Sequence, residues 1–242
     1  MTTLIKIIVA SLLSLTLFSC NFDINMGTGF KGNGDVITED RSTNEPFSTI
    51  KAADGLDVYL TQSDNESIIV EADENLQDLI LTEVENGVLK IHTKQNIGSA
   101  TSKKIKVSFK DISNIISTSG SDVYSTNTIS TENLELKSTS GSDMELSVNT
   151  SVLHCKSTSG SDMRLSGTTT KLNAEATSGS DIKAADLIAE SSHVKATSGA
   201  DITVNTSEEL IAKASSGGDV KYYGNPEKVD KSNNPSGSVM QK

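Results

Sequence analysis

The chain has no tryptophan, only three prolines and two cysteines, and aromatic residues occupy just 4% of its 242 positions. A core built on large rings is therefore excluded, and burial has to come from aliphatic side chains. Two cysteines cannot form a disulfide framework of the kind that holds small secreted domains together. Positive charge is scarce as well, with 21 Lys and Arg against 32 Asp and Glu, a formal charge of −11. That balance disfavours nucleic acid and an anionic bilayer surface as partners and favours solubility. Metalloprotease-type HExxH, metal-spaced cysteine pairs and a nucleophile elbow are missing, and the only histidines are His92, His154 and His193. His154 adjoins Cys155, but neighbours along a strand face opposite sides, which argues against a Cys/His dyad.

The one long apolar run is at the start. Met1–Lys6 carries a single basic residue, Ile7–Phe18 is apolar or small, and Leu17-Phe18-Ser19-Cys20 closes the segment. A membrane-spanning helix needs roughly 20 apolar residues, so this shorter run reads as a signal peptide. Its end resembles the lipobox of bacterial lipoproteins, in which the cysteine is acylated and becomes the first mature residue. That resemblance implies lipidation at Cys20 and a mature charge of about −12 once Lys6 is removed. Asn21 in place of Asp resembles the pattern sorted to the outer membrane. The expected location is the cell envelope, with the chain held on a membrane by its lipid. Cys155 is then left without a disulfide partner and is expected to be buried.

What the chain has in abundance is serine, threonine and glycine, arranged in a repeat. Ser-Gly-X-Asp occurs six times, with the aspartates Asp122, Asp143, Asp162, Asp181, Asp201 and Asp219 spaced by 18 to 21 residues. An apolar residue follows each one: Val123, Met144, Met163, Ile182, Ile202 and Val220. Five residues before the glycine stand Leu136, Cys155, Ala174, Val194 and Ala212, and three before it Ser138, Ser157, Ala176, Ala196 and Ala214. These period-two positions describe strands with one buried face. A helix is excluded by the β-branched residues and the recurring glycine, and a propeller blade needs about twice the length. The fold expected is all-β, a right-handed parallel β-helix with coils of about 20 residues, in which equivalent residues stack into columns.

The pattern weakens upstream. Gly55-Leu56-Asp57-Val58 is a degenerate copy of the repeat, Asn86-Gly87 marks a hairpin turn, and Leu76–Val84 suits a short helix or a coil edge. The expected organisation is a signal peptide over 1–19, a lipidated cysteine with a tether or N-terminal cap over 20–45, a β-helix domain over 46–231 with regular repeats at 104–223, and a tail over 232–242.

Several independent motifs together resemble one family. They are Gly32-Asn33-Gly34-Asp35-Val36, Phe47-Ser48-Thr49-Ile50-Lys51, Gly55–Leu60, Val70–Leu76, Gly87–Ile91, the Ser-Gly-X-Asp repeats and Tyr223-Gly224-Asn225-Pro226. The resemblance is to the putative auto-transporter adhesin, head GIN domain family, predominantly lipoproteins or exported proteins of Bacteroidota. It implies a β-helical fold and an adhesive role, and supplies no catalytic residues.

The aspartate column is the one candidate site. Opposed carboxylates in neighbouring strands destabilise each other, so something must compensate. Accepting turn amides, binding a hard cation such as Ca2+ and meeting a partner all remain open. No other cofactor is expected. Threonines near the turns (Thr126, Thr128, Thr139, Thr158, Thr177) suit a glycan or protein ligand. The residues favour a non-enzymatic structural or interaction role. The alternative is a carbohydrate-active β-helix enzyme, because paired acids on this fold hydrolyse glycosides.

Overall fold

The computed structural model describes residues 29–42, 45–233 and 236–242. The signal peptide and Cys20 lie outside the described residues. The regular part is a stack of long strands, Ile129–Thr139, Asp143–Thr158, Asp162–Thr177, Asp181–Thr197 and Asp201–Ser215. Each pairs in parallel with the next, one coil along the chain, so that Leu134, Leu153, Leu172, Ser192 and Leu210 stand in one register. The fold is an all-β solenoid with parallel coils of about 19 residues.

Alternation decides which side of each strand is inside. Met144, Leu146, Val148, Leu153 and Cys155 are buried, while Glu145, Asn149, His154 and Lys156 between them are exposed. Small residues fill the column nearest the turn, with Ser117, Ser138 and Ser157 giving way to Ala176, Ala196 and Ala214. Burial pushes the Cys155 thiol well above its ordinary range, leaving it an inert core group.

The Ser-Gly pair makes the corner. Both residues take positive φ, as at Ser159 (58°) and Gly160 (69°), which is the conformation of a type I′ turn. The corners are then tied coil to coil, because each glycine N–H donates to the serine carbonyl one coil on, Gly141 to Ser159 and Gly160 to Ser178, at 3.1 Å each. A Cβ added at Gly160 would meet nothing within 4 Å, so dihedral strain alone reserves that site for glycine.

The upstream half joins the same stack, but not in chain order. The coil of Thr49–Ala52 and Asp57–Gln62 lies between that of Val88–Thr93 and Lys103–Phe109 and that of Asn114–Ser117 and Asp122–Ser125. From Thr49 the chain builds the second layer, moves outward to build the first, then passes back to the third. Antiparallel strands cover the outer end: Ser67–Asp73 pairs with Lys103–Phe109 and with Val36–Arg41, and Ile80–Glu85 forms a hairpin with Val88–Thr93 through Asn86-Gly87. Within Leu76–Val84, a 3-10 turn at Glu74–Leu79 runs straight into a strand. Asp73 fastens this cap. Its burial opposes ionisation, but the N–H groups of Ser102, Gly34 and Thr101 donate to its carboxylate at about 3.0 Å and hold its pKa below the usual range.

At the other end, Lys228–Asn233 and Ser238–Gln241 add a last coil. The second strand falls where a tail was expected. It forms because Val239 packs against the core and the backbone pairs with Asp219–Tyr222. Lys231 occupies the inward register of Ala212 and lays its ammonium over the Tyr222 ring, 4.6 Å from its centre. An inward charge on an end strand discourages further edge pairing.

Two glycines should therefore respond differently to alanine. Gly160→Ala should cost roughly 1–2 kcal/mol through its left-handed backbone alone. Gly218→Ala should cost more, because its Cβ would lie 2.6 Å from the Ala196 backbone. Chemical denaturation of both variants tests the order, and equal losses would contradict it.

Candidate functional site

Each column aspartate is the first residue of the strand that leaves a corner, with its side chain on the outer surface. All six predicted aspartates are brought into one row by the parallel register, and Asp57 joins as a seventh next to Asp122. Lys104 follows Asp57 at one end of the row, and Ser238 follows Asp219 at the other, its hydroxyl donating at 2.6 Å.

The corner is capped mainly by the residue before the aspartate. Ser121, Ser142, Ser161 and Ser180 are buried, and their hydroxyl oxygens accept the N–H of Thr118, Thr139, Thr158 and Thr177 at 3.1–3.3 Å. The Ser161 and Ser180 hydroxyls also lie 2.9 and 2.8 Å from the Ser138 and Ser157 carbonyls one coil back. Sequence reading assigned no role to these serines, although their identity in four successive repeats was the available signal.

The aspartates instead look outward to the column two residues on, which runs Tyr59, Tyr124, Glu145, Arg164, Lys183, Thr203 and Lys221. Lys183 bridges Asp162 at 2.8 Å and Asp181 at 3.3 Å, and Lys221 lies 3.4 Å from Asp201. The Asp162 hydrogen bond is the main reason the Lys183 pKa is raised. Exposed pairs of this kind contribute about 0–1 kcal/mol each, enough to offset the repulsion within the row.

Compensation fails at one end of the row. Beside Asp57, Asp122 and Asp143 the neighbouring column holds Tyr59 and Tyr124, stacked with centroids 5.2 Å apart and planes 23° from parallel, and then Glu145. Burial, followed by the facing Asp143 and Asp57 carboxylates, pushes Asp122 upward, while Lys103 and the Asp143 N–H partly oppose the shift. Burial and Asp122 likewise raise the Tyr124 phenol.

The carboxylates do not converge across a cleft. The space beside them, bordered by Tyr124, Asp143, Glu145, Asp162, Arg164 and Lys183, is only about 110 Å³. Among the described residues, no group of three or more His, Cys, Asp or Glu is arranged to hold a metal ion. A larger, shallow depression of about 350 Å³ lies on the strand face before the corner, bordered by Glu135, His154, Lys156, Glu175, His193 and Lys195.

Residues 46–226 match the family model described as putative auto-transporter adhesin, head GIN domain, and the chain belongs to that family. It matches no curated protein. Among solved structures, a putative adhesin from Bacteroides fragilis NCTC 9343 is 22% identical with a TM-score of 0.82, over 88% of this chain and 100% of that one. A putative adhesin from Parabacteroides distasonis ATCC 8503 is 20% identical with a TM-score of 0.72, over 88% and 99%. A protein from the same organism described as a putative lipid binding protein is also 20% identical, with a TM-score of 0.67 over 87% and 99%. At these identities the likeness is one of fold.

The uncompensated end generates a pH-dependent prediction. A carboxyl whose folded pKa is raised contributes its full stability below the unfolded pKa and loses it as pH rises through the folded value. Asp122→Asn should therefore stabilise the protein at pH 7, by roughly 0.2–1 kcal/mol for each opposed pair relieved. Thermal melts should show that gain vanishing below about pH 4, where the native carboxyl is protonated. A gain that persists in acid would contradict the account.

Proposed function

We propose that this family member is an adhesin-like protein of the cell envelope, held to a membrane by a lipid on Cys20, whose solenoid presents straight columns of side chains to a protein or glycan partner without catalysing a reaction. The observation that carries the reading is the aspartate row: one aspartate per coil in a single line, answered at Asp162, Asp181 and Asp201 by lysines of the adjacent column, where a glycoside hydrolase needs two acids facing each other across bound sugar. Regular columns suit multivalent contact with an extended partner, in which many weak interactions add. The structural relatives described as putative adhesins support the same class.

The envelope location rests on the first segment of the sequence. Leu17-Phe18-Ser19-Cys20 has the form of a lipobox, and Asn21 agrees with outer-membrane sorting. Residues 20–45 then link lipid to solenoid, with Phe30–Lys31 and Val36–Arg41 already paired to the body. Right-handed winding is the handedness expected of the coils, because parallel crossover connections are right-handed in about 98% of cases.

Two measurements test this reading. Labelled palmitate should enter the wild-type chain and leave it in the membrane fraction, whereas Cys20→Ser should abolish both; a membrane-bound, unlabelled wild type would remove the lipid anchor. Beads coated with the protein should adhere to arrays of glycans and matrix proteins above albumin-coated controls. Adhesion no greater than the controls would remove the adhesive role.

A further inference from the structure

Cations are the scarce charge of this chain, yet the register gathers them. On the strand face before the corner, Lys51, Lys137, Lys156, Lys195 and Lys213 share one outward column, interrupted by Ile116 and Glu175. All five are exposed. Glu175 bridges Lys156 at 3.7 Å and Lys195 at 3.2 Å, while Lys51, Lys137 and Lys213 form no ion pair among the described residues. One side of the row is a column of hydroxyls, Thr139, Thr158, Thr177, Thr197 and Ser215. The other side holds Glu135, His154, Asn173 and His193 along the 350 Å³ depression, so one acid flanks the row beside Lys137.

Every one of these lysines stands six positions before a column aspartate, so the corner separates a basic row from the acidic row. With coils about 4.8 Å apart, Lys137 to Lys213 spans four steps, roughly 19 Å. A straight strip of cations with hydroxyls beside it suits a linear polymer lying along the solenoid axis.

Magnitudes choose between the occupants such a strip could take. A second copy could offer its aspartate row at the same repeat, but exposed ion pairs contribute about 0–1 kcal/mol each against roughly 4–15 kcal/mol lost on association. The charge of −11 on each copy adds repulsion. A flat anionic membrane faces the same net charge over a wide area. A thin polyanion touches the strip alone, and each lysine it meets releases a condensed counterion, a gain set by the polymer's own charge density.

We infer that this strip binds an acidic linear polysaccharide, sulfated or uronate-bearing, through Lys137, Lys156, Lys195 and Lys213 with the threonine column beside them. The inference rests on the adhesive reading above and names its ligand class. The His154 and Asn173 side chains border the same track and offer hydrogen-bond donors to the sugar.

Fluorescein-labelled heparin oligosaccharide, titrated with the full chain and followed by anisotropy, provides the test. Binding should saturate, weaken at least tenfold between 50 and 300 mM NaCl, and survive competition by neutral dextran. The K137Q/K156Q/K195Q/K213Q variant should bind at least tenfold more weakly while keeping the wild-type circular dichroism spectrum, and the corresponding Lys→Arg set should restore affinity. D162N/D181N, on the other side of the corner, should change affinity less than twofold. No binding, equal binding by the glutamine variant, or equal affinity for duplex DNA would overturn the inference. So would lysine-dependent self-association in sedimentation, or lysine-dependent capture by phosphatidylglycerol vesicles, if heparin is not bound. Coated beads that adhere while heparin does not bind would sink this inference alone and leave the adhesive role standing.

Discussion

Each of the six regular corners turns on a pair of residues in the left-handed region, serine followed by glycine, and the rest of the architecture depends on that pair. For an L-residue with a Cβ the conformation costs on the order of 1 kcal/mol. The cost recurs at six serines, so it must be offset locally. The offset is visible in the hydrogen bonds of the corners, one from each glycine N–H to the next coil and, in the four corners where a buried serine follows the glycine, others through that serine. Because the same atoms are joined at every level, the corner acts as a register mark. A coil displaced by one residue would break this ladder and turn its aliphatic face to solvent.

A fixed register has opposite consequences inside and outside the solenoid. Inside, it stacks Leu on Leu and Ser on Ser or Ala, and buried hydroxyls are tolerated because each finds a carbonyl or another hydroxyl. Outside, any residue type that recurs once per repeat becomes a row of like groups about 4.8 Å apart. For aspartate that row is a liability, relieved by Lys183 and Lys221 and only partly relieved, through Lys103 and the Asp143 N–H, around Asp122. The same geometry gathers five scattered lysines into one basic row, broken only at Ile116 and Glu175. The physics that burdens one face with repulsion thus supplies the other with a multivalent surface.

Much of this was legible in the sequence, because a solenoid's packing is local to the repeat. The inward placement of Cys155, the column of aspartates and the glycine corner could all be read from spacing. The order of the first three coils could not. Gly55-Leu56-Asp57 identified itself as a repeat, but pairing in register is equally good above or below, and only the antiparallel cap at Ser67–Asp73 and Ile80–Glu85 fixes which coil lies outermost. The buried serine of the corner escaped notice because it sits between two residues with more obvious meanings, glycine and aspartate. The lysine column escaped because a net charge of −11 describes the whole chain and conceals how the register distributes it.

Straight columns held by repeated corners are thus the central claim, and one distance tests it most directly. Spin labels at positions 137 and 213, four coils apart in one outward column, should give a narrow distribution by pulsed electron spin resonance. It should centre near 19 Å, four steps of about 4.8 Å, broadened only by the label linkers. A broad distribution, or a centre well beyond 30 Å, would mean that these coils do not stack in a common register, and the rows of charge derived from it would not exist.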